Sequence, residues 1–210
     1  MCAGHGGLFV APPTAADIER ALNETYSCPL LILSEVTPTR IEATPGYQYE
    51  VRFMYTVAMI EAPHTVAKRF AEWTYQDSEL LRLRRAYGEA DSRRRMGRAD
   101  AAAAVQTLKQ VTAQTEEVLG RLNVLMPCRS ADASSAFNVM RRVARDAAVT
   151  SEDKIAVPLA MRTRARGRLV QIGEHWRFDS SPSSEVQSIV KSAPVPYPRF
   201  TPQTSEIPKH

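Results

Sequence analysis

Cys28 and Cys128 are the two residues of this chain best suited to bond to each other. Each adjoins a proline, as Cys28-Pro29 and Pro127-Cys128, which places both thiols at element ends where a staple is geometrically convenient. In an oxidising compartment such a pair forms one disulfide and constrains the unfolded chain. In a reducing one, both are ordinary small apolar residues. The second chemistry is positive charge. Arg82, Arg84, Arg85, Arg93, Arg94, Arg95 and Arg98 crowd together against Glu89 and Asp91 alone. Arg162, Arg164 and Arg166 recur at period two, so on a strand they point the same way. Both sets suit an acidic protein surface, lipid phosphates or nucleic acid. The bland reading of the first is a solvated turn. For the second it is solubility, or protection of an exposed sheet edge.

Catalytic groupings are missing from the sequence. The histidines, His5, His64, His175 and His210, are scattered, and Cys2-x-x-His5 lacks the second pair that a zinc site needs. No G-x-S-x-G, P-loop, H-E-x-x-H or dinucleotide fingerprint occurs. Glu50, Glu61, Glu72, Asp77 and Glu79 show no spacing that singles out an acid/base pair. His175, flanked by Glu174 and Trp176, is the best isolated pocket candidate, and it reads more simply as a histidine on the wet face of a strand. The sequence therefore predicts no enzyme, no cofactor and no metal.

The elements that position these groups follow from periodicity. Tyr47, Tyr49, Val51, Phe53, Tyr55, Val57 and Met59 alternate with Gln48, Glu50, Arg52, Thr56 and Ala58. A period of two over that length is a strand with one buried side. Ahead of it, Thr14 with Asp17 three residues on marks a helix start, for a helix to about Tyr26. Leu30 to Leu33 and Thr37 to Ala43 read as two short strands, followed by a turn at Thr44-Pro45-Gly46.

The middle third is helical. Val66, Phe70, Trp73, Leu80 and Leu81 predict a helix over 65–87, broken or turned at Gly88 to Ser92. Ala101, Ala104, Leu108, Val111, Thr115, Val118, Leu122 and Leu125 form a heptad seam, filled by the chain's own first helix and sheet or else open to a partner. The two helices make a hairpin with the arginines from Arg82 to Arg98 at its tip. A third helix over 134–148 places Phe137, Met140, Val143 and Ala147 inward and Arg141, Arg142 and Arg145 outward. Beyond it, alternation over 155–162 and 170–178 reads as a hairpin turning near Arg166-Gly167, with Pro158 forcing an edge or a bulge. Residues 180–184 read as a loop.

These elements predict an α+β fold: a mainly antiparallel sheet of about four strands, with the helical hairpin packed on it or protruding from it. The organisation expected is a flexible arm over 1–13, one domain over 14–190 with its helical block near 65–148, and a proline-rich disordered tail over 191–210. At 210 residues, with net charge +4 and 44% hydrophobic residues, the chain is long enough to bury a core and too weakly basic for charge alone to imply nucleic acid. No apolar run approaches the roughly 18 residues of a membrane span.

The start, Met1-Cys2-Ala3-Gly4-His5-Gly6-Gly7, resembles that of a mature bacterial lipoprotein, whose lipid-modified cysteine is followed by a flexible tether. That resemblance implies lipid attachment at Cys2 and a periplasmic or outer-membrane-anchored location. A native cytoplasmic start is the alternative. Cys2 also superficially resembles the nucleophile of glutamine amidotransferases, but those enzymes run from cysteine straight into a core strand, and this leader would hold Cys2 too loosely for catalysis. The run Gly173 to Phe178 loosely resembles a strand of the cone-shaped α+β domains used as periplasmic scaffolds, and no residue roles are carried over from it.

The function expected is a non-enzymatic extracytoplasmic interaction or scaffold protein, a lipid-anchored subunit of a bacterial envelope or secretion assembly. Its partners would be other protein subunits and an anionic membrane surface reached through Cys2. One alternative is a cytosolic nucleic-acid-binding or adaptor protein using the arginine-rich tip. Another is a small-molecule-binding domain with a pocket between sheet and helices, lined by Trp73, Tyr55, Phe53 and Trp176.

Overall fold

A computed structural model of the chain describes residues 11–96, 101–151 and 153–200. Its elements are α1 (Ala15–Thr25), β1 (Leu31–Thr44), β2 (Gln48–Met59), α2 (Pro63–Arg95), α3 (Ala101–Leu125), α4 (Ala131–Thr150), β3 (Lys154–Ile155), β4 (Pro158–Ile172), β5 (His175–Phe178), β6 (Ser183–Lys191) and β7 (Val195–Pro196). The fold is α+β, and the chain divides into two compact units. The first takes the described residues up to Ile60, Cys128–Met140 and Pro158–Lys191. The second takes Glu61–Pro127, Arg141–Val157 and the described residues from Ser192 on. α4 gives its first half to one unit and its second half to the other. No helix among the described residues is long and apolar enough to cross a membrane.

The first unit is a five-stranded antiparallel sheet. β1 pairs with β2 and β2 with β4, while the far edge of β4 is shared by β6 along its first part and β5 along its last. The alternation of β2 does what its period requires: Val51, Phe53, Tyr55, Val57 and Met59 are buried, and Arg52 between them is exposed. Opposite them in register lie Met161, Thr163 and Ala165, also buried. α1 starts on a complete capping box, in which the Asp17 amide donates to the Thr14 hydroxyl at 3.2 Å and the Thr14 amide donates back to the Asp17 carboxylate at 2.9 Å. It buries Ile18, Ala21 and Leu22 against this sheet. Burial pushes the phenols of Tyr26 and Tyr55 up, so the pair, joined oxygen to oxygen at 3.0 Å, is a neutral core contact.

Three strand expectations are corrected. β1 is one strand, not two: its irregularities fall between Ser34 and Thr37 and between Pro38 and Arg40, and Glu35 adopts φ 56°. As an edge strand it tolerates Pro38, whose missing N–H leaves no ladder bond unmade inside the sheet. β4 runs unbroken through Arg166-Gly167, where no turn forms. The turn comes at Gly173-Glu174, a two-residue loop with Gly173 at φ +64°, a value that glycine takes without strain. Residues 183–184, read as loop, open strand β6, which pairs along β4.

Gly167 has a different reason to be glycine. A Cβ built there would stand 2.7 Å from Cε1 and 2.8 Å from Cδ1 of the Phe178 ring, which covers this point of β4. That ring in turn stacks on Phe53, with centroids 5.8 Å apart. Gly167→Val is therefore expected to destabilise the first unit by about 1–3 kcal/mol, the usual cost of overpacking. Urea unfolding followed by Trp176 fluorescence checks this, and pairing it with Phe178→Leu should recover much of the loss.

The second unit is built on the hairpin of α2 and α3. The heptad seam is filled by the chain itself: Val111, Val118 and Leu122 of α3 pack with Leu80 and Leu83 of α2, with Trp73 and Ala86 against them. Arg69 fastens one end, holding the Glu61 carboxylate with two nitrogens and donating to the Leu125 carbonyl at 3.0 Å. α2 does not break at Gly88 but continues to Arg95. A helical glycine costs about 1 kcal/mol. Burial of Ala90 and the pairs from Asp91 to Arg94 and Arg95 offset it. Within the proline-rich segment read as disordered, β7 pairs with β3 and the Tyr197 amide donates to the Asp153 carbonyl at 3.1 Å.

Candidate anion-binding surfaces

Cys28 and Cys128 are bonded, with an S–S distance of 2.08 Å and Cα atoms 4.1 Å apart. The bond joins the approach to β1 with the approach to α4. Beside it the Arg129 amide donates to the Ser27 carbonyl at 2.8 Å. Cys2 and Arg98 lie outside the described residues, as do positions 1–10 of the arm expected over 1–13.

The outer face of the first unit's sheet carries the period-two arginines. Arg162, Arg164, Arg166 and also Arg168 are exposed along β4, while Met161, Thr163, Ala165 and Leu169 on the other face are buried. Arg162 and Arg168 are about 20 Å apart at 3.4 Å per residue. Lateral register widens the row into a patch. Arg40 of β1 lies opposite Arg52 of β2, and Arg52 lies opposite Arg166. Two carboxylates serve these three cations: Glu42 pairs with Arg40, and Glu50 meets Arg166 at 2.8 Å and Arg52 at 3.8 Å. The Arg166 hydrogen bond, helped by the charges of Arg166, Arg52 and Arg40, holds the Glu50 carboxyl below its usual range.

Arg162, Arg164 and Arg168 make no ion pair among the described residues. Arg162 stands between Thr56 and Ser188 in register, and Arg164 between Met54 and Glu185. A shallow depression of about 580 Å³ opens here, lined by Thr39, Arg52, Met54, Arg164, Arg166, Ser183 and Glu185 among others. Like charges facing each other across strands are destabilising. The structure removes one bland explanation for keeping them, because β4 is an interior strand with neighbours on both sides and has no edge to protect. His175 and Arg177 do not face this row. β5 pairs with residues 169–172 instead, and Arg177 meets Glu24 at 3.2 Å.

The other arginine set reaches the hairpin tip only in part among the described residues. Arg82, Arg84 and Arg85 lie on the shaft of α2 and Arg93, Arg94 and Arg95 in its last turn, so the set spans about 20 Å at 1.5 Å per residue. Half of them are engaged: Arg82 with Glu79 at 2.9 Å, and Arg94 and Arg95 with Asp91 at 2.8 and 2.7 Å. Tyr87 is exposed beside them.

The four aromatics proposed as one pocket do not line one. Phe53, Tyr55 and Trp176 belong to the buried core of the first unit and Trp73 to the hairpin of the second. Sequence reasoning missed Arg141. It is not outward: its guanidinium carbon lies 3.7 Å from the centre of the Trp73 ring. The row Arg141, Arg142, Arg145 gives no sign of this, because only the tertiary contact separates the first from the others.

No protein-family model, curated protein or solved structure matches the chain.

Proposed function

We propose that this is a non-enzymatic, extracytoplasmic interaction protein, held through Cys2 in a bacterial envelope assembly, whose arginine-bearing sheet face docks an acidic surface of a partner subunit. The Cys28–Cys128 disulfide carries the reading, since such bonds persist in oxidising compartments and are rare in the cytosol. The patch of Arg52, Arg162, Arg164, Arg166 and Arg168 supports the docking face. A guanidinium is the cation best matched to carboxylates, which it grips with two parallel hydrogen bonds. A rigid sheet also holds a row of them at fixed spacing without the ordering cost that a loop would incur.

The compartment is tested by intact mass of protein from its native host. A two-dalton gain on reduction and an acyl addition on Cys2 are expected, whereas free thiols throughout and an unmodified Cys2 would overturn the reading. The face is tested by a photo-crosslinking residue at position 164 in the native host. A discrete protein adduct is expected, and the double variant Arg162→Glu, Arg166→Glu should weaken that association at least tenfold, about 1.4 kcal/mol. An adduct of undiminished yield in the variant, or none in the parent, counts against the docking face.

A further inference from the structure

The apolar side of α3 is wider than α2 covers. Val111, Val118 and Leu122 are buried against Leu80 and Leu83 of α2. Round the helix from them lies a second set, Val105, Leu108, Thr112, Thr115 and Leu119, spaced 3-4-3-4. At about 100° per residue this row is centred roughly 80° from the filled seam. Val105 and Leu119 are each 41% exposed, Thr112 is exposed, and Leu108 and Thr115 are half-buried. Single exposed apolar side chains are ordinary. A row of them at this spacing is the pattern by which one helix meets another. The two threonines belong to it, because their hydroxyls are taken up by the helix itself. Thr112 donates to the Leu108 carbonyl at 2.8 Å and Thr115 to the Val111 carbonyl at 2.7 Å, which leaves their methyl groups to be covered.

The charges beside the row point to its occupant. Lys109 and Glu116 are exposed along its outer border, on the side away from α2. Neither makes an ion pair among the described residues, although Arg121 and Glu117 of the same helix pair with each other. Seven residues separate them, about 10.5 Å of helix, so they do not meet within one chain. A second α3 turned antiparallel to the first, about a twofold axis between Ala113 and Gln114, changes this. Leu108 of each copy then comes opposite Leu119 of the other, and Thr112 opposite Thr115. The same rotation brings Lys109 of each copy within two residues, about 3 Å along the axis, of Glu116 of the other. Every contact occurs twice, as a self-complementary interface requires. In a parallel pair each charged border would instead face the α2 side of the other copy, and the two charges would not meet.

We propose that the chain forms a twofold dimer in which α3 packs antiparallel on α3 of a second copy, with Leu108 and Leu119 in its central layers and Lys109–Glu116 pairs along its open border. The surface belongs to the second unit, whereas the arginine-bearing sheet belongs to the first, so the dimer stands or falls independently of the docking reading.

The test is sedimentation equilibrium of the full chain, with Cys2 alkylated so that no disulfide between copies mimics association. A monomer–dimer equilibrium is expected. A zero-length carbodiimide should join Lys109 to Glu116 in the dimer, a link that the distance between them within one helix restricts to separate copies. Leu119→Glu sets an unpaired carboxylate into both central layers and should raise the dissociation constant about a hundredfold or more. Because Leu119 is partly exposed in the single chain, the same change should leave the urea midpoint nearly unmoved. Lys109→Glu and Glu116→Lys should each weaken association about three- to thirtyfold, the range for two exposed ion pairs, and the two together should restore it. A chain that stays monomeric at about 1 mM would overturn the proposal. So would a dimer whose dissociation constant Leu119→Glu leaves unchanged, or a double charge reversal that associates no more tightly than either single one.

Discussion

Cys128→Ser, or reduction of the intact protein, is expected to lower the unfolding free energy by about 4–5 kcal/mol. The bond closes a separation of 100 residues, and the chain-entropy relation for a loop of that size gives about 4.7 kcal/mol at 25 °C. The effect should act through the unfolded chain. In the native state the same junction is also held by a backbone bond, Arg129 N–H to the Ser27 carbonyl at 2.8 Å. The serine variant should therefore keep the native circular dichroism spectrum while its midpoint in urea falls. Its m-value should rise, because an unlinked chain exposes more surface on unfolding. A loss under about 1 kcal/mol would show that the loop constraint contributes little.

The chain has one tryptophan in each unit, Trp176 in the first and Trp73 in the second, so fluorescence of single-tryptophan variants reports the units separately. The loop that the disulfide closes contains β1, β2, α2 and α3, elements of both units. Both probes are accordingly expected to register its removal.

What could be read from the sequence is what a single periodicity controls. β2 has one buried face and one wet face, and its alternation says so directly. The seam of α3 is legible because Leu80 and Leu83 demand a continuous apolar stripe opposite them. The disulfide was foreshadowed by two cysteines set beside prolines. Elements whose sequence reflects a neighbour instead of their own period were misread. In β4, Gly167 looks like a turn, yet its missing side chain makes room for the ring of Phe178, eleven residues on. β6 is exposed along nearly its whole length, so no apolar alternation marks it. α2 passes through Gly88 because packing at Ala90 and pairing at Asp91 outweigh a weak local preference. Of the arginine-bearing face, the row on β4 was visible, but its widening through Arg52 and Arg40 depends on cross-strand register, which no local pattern encodes. Arg141 was hidden for the same reason.

Phe53→Ala is expected to cost about 3–5 kcal/mol, the largest effect of any single truncation in the first unit. Phe53 is fully buried at the middle of β2, with Tyr55 at 5.7 Å and Phe178 at 5.8 Å between ring centroids. The cost should lie in the upper part of the range because little can move in to fill the space. The residues opposite it in register are Ala165 and Pro38, one small and one rigid, and the neighbouring position on β4 is Gly167. Losing Phe53 also takes away the ring on which Phe178 rests, so the cover over Gly167 loosens with it. Phe53→Ala and Phe178→Ala together should cost less than the sum of the two, by about 0.5–1.5 kcal/mol, the usual coupling of a ring pair. Phe53→Leu, which restores most of the volume, should recover most of the stability. The consequence for the outer face follows from the pleat. Arg52 precedes Phe53 on β2, and Arg164 and Arg166 flank the facing Ala165, so this core position fixes the spacing of the cations above it. Under conditions where Phe53→Ala remains folded, partner binding through that face should fall by less than tenfold, while the reversal of Arg162 and Arg166 weakens binding at least tenfold and costs the fold only the exposed Arg166–Glu50 pair. A Phe53→Ala cost below about 1.5 kcal/mol in urea unfolding, read at Trp176, would mean that this ring cluster is not the centre of the unit.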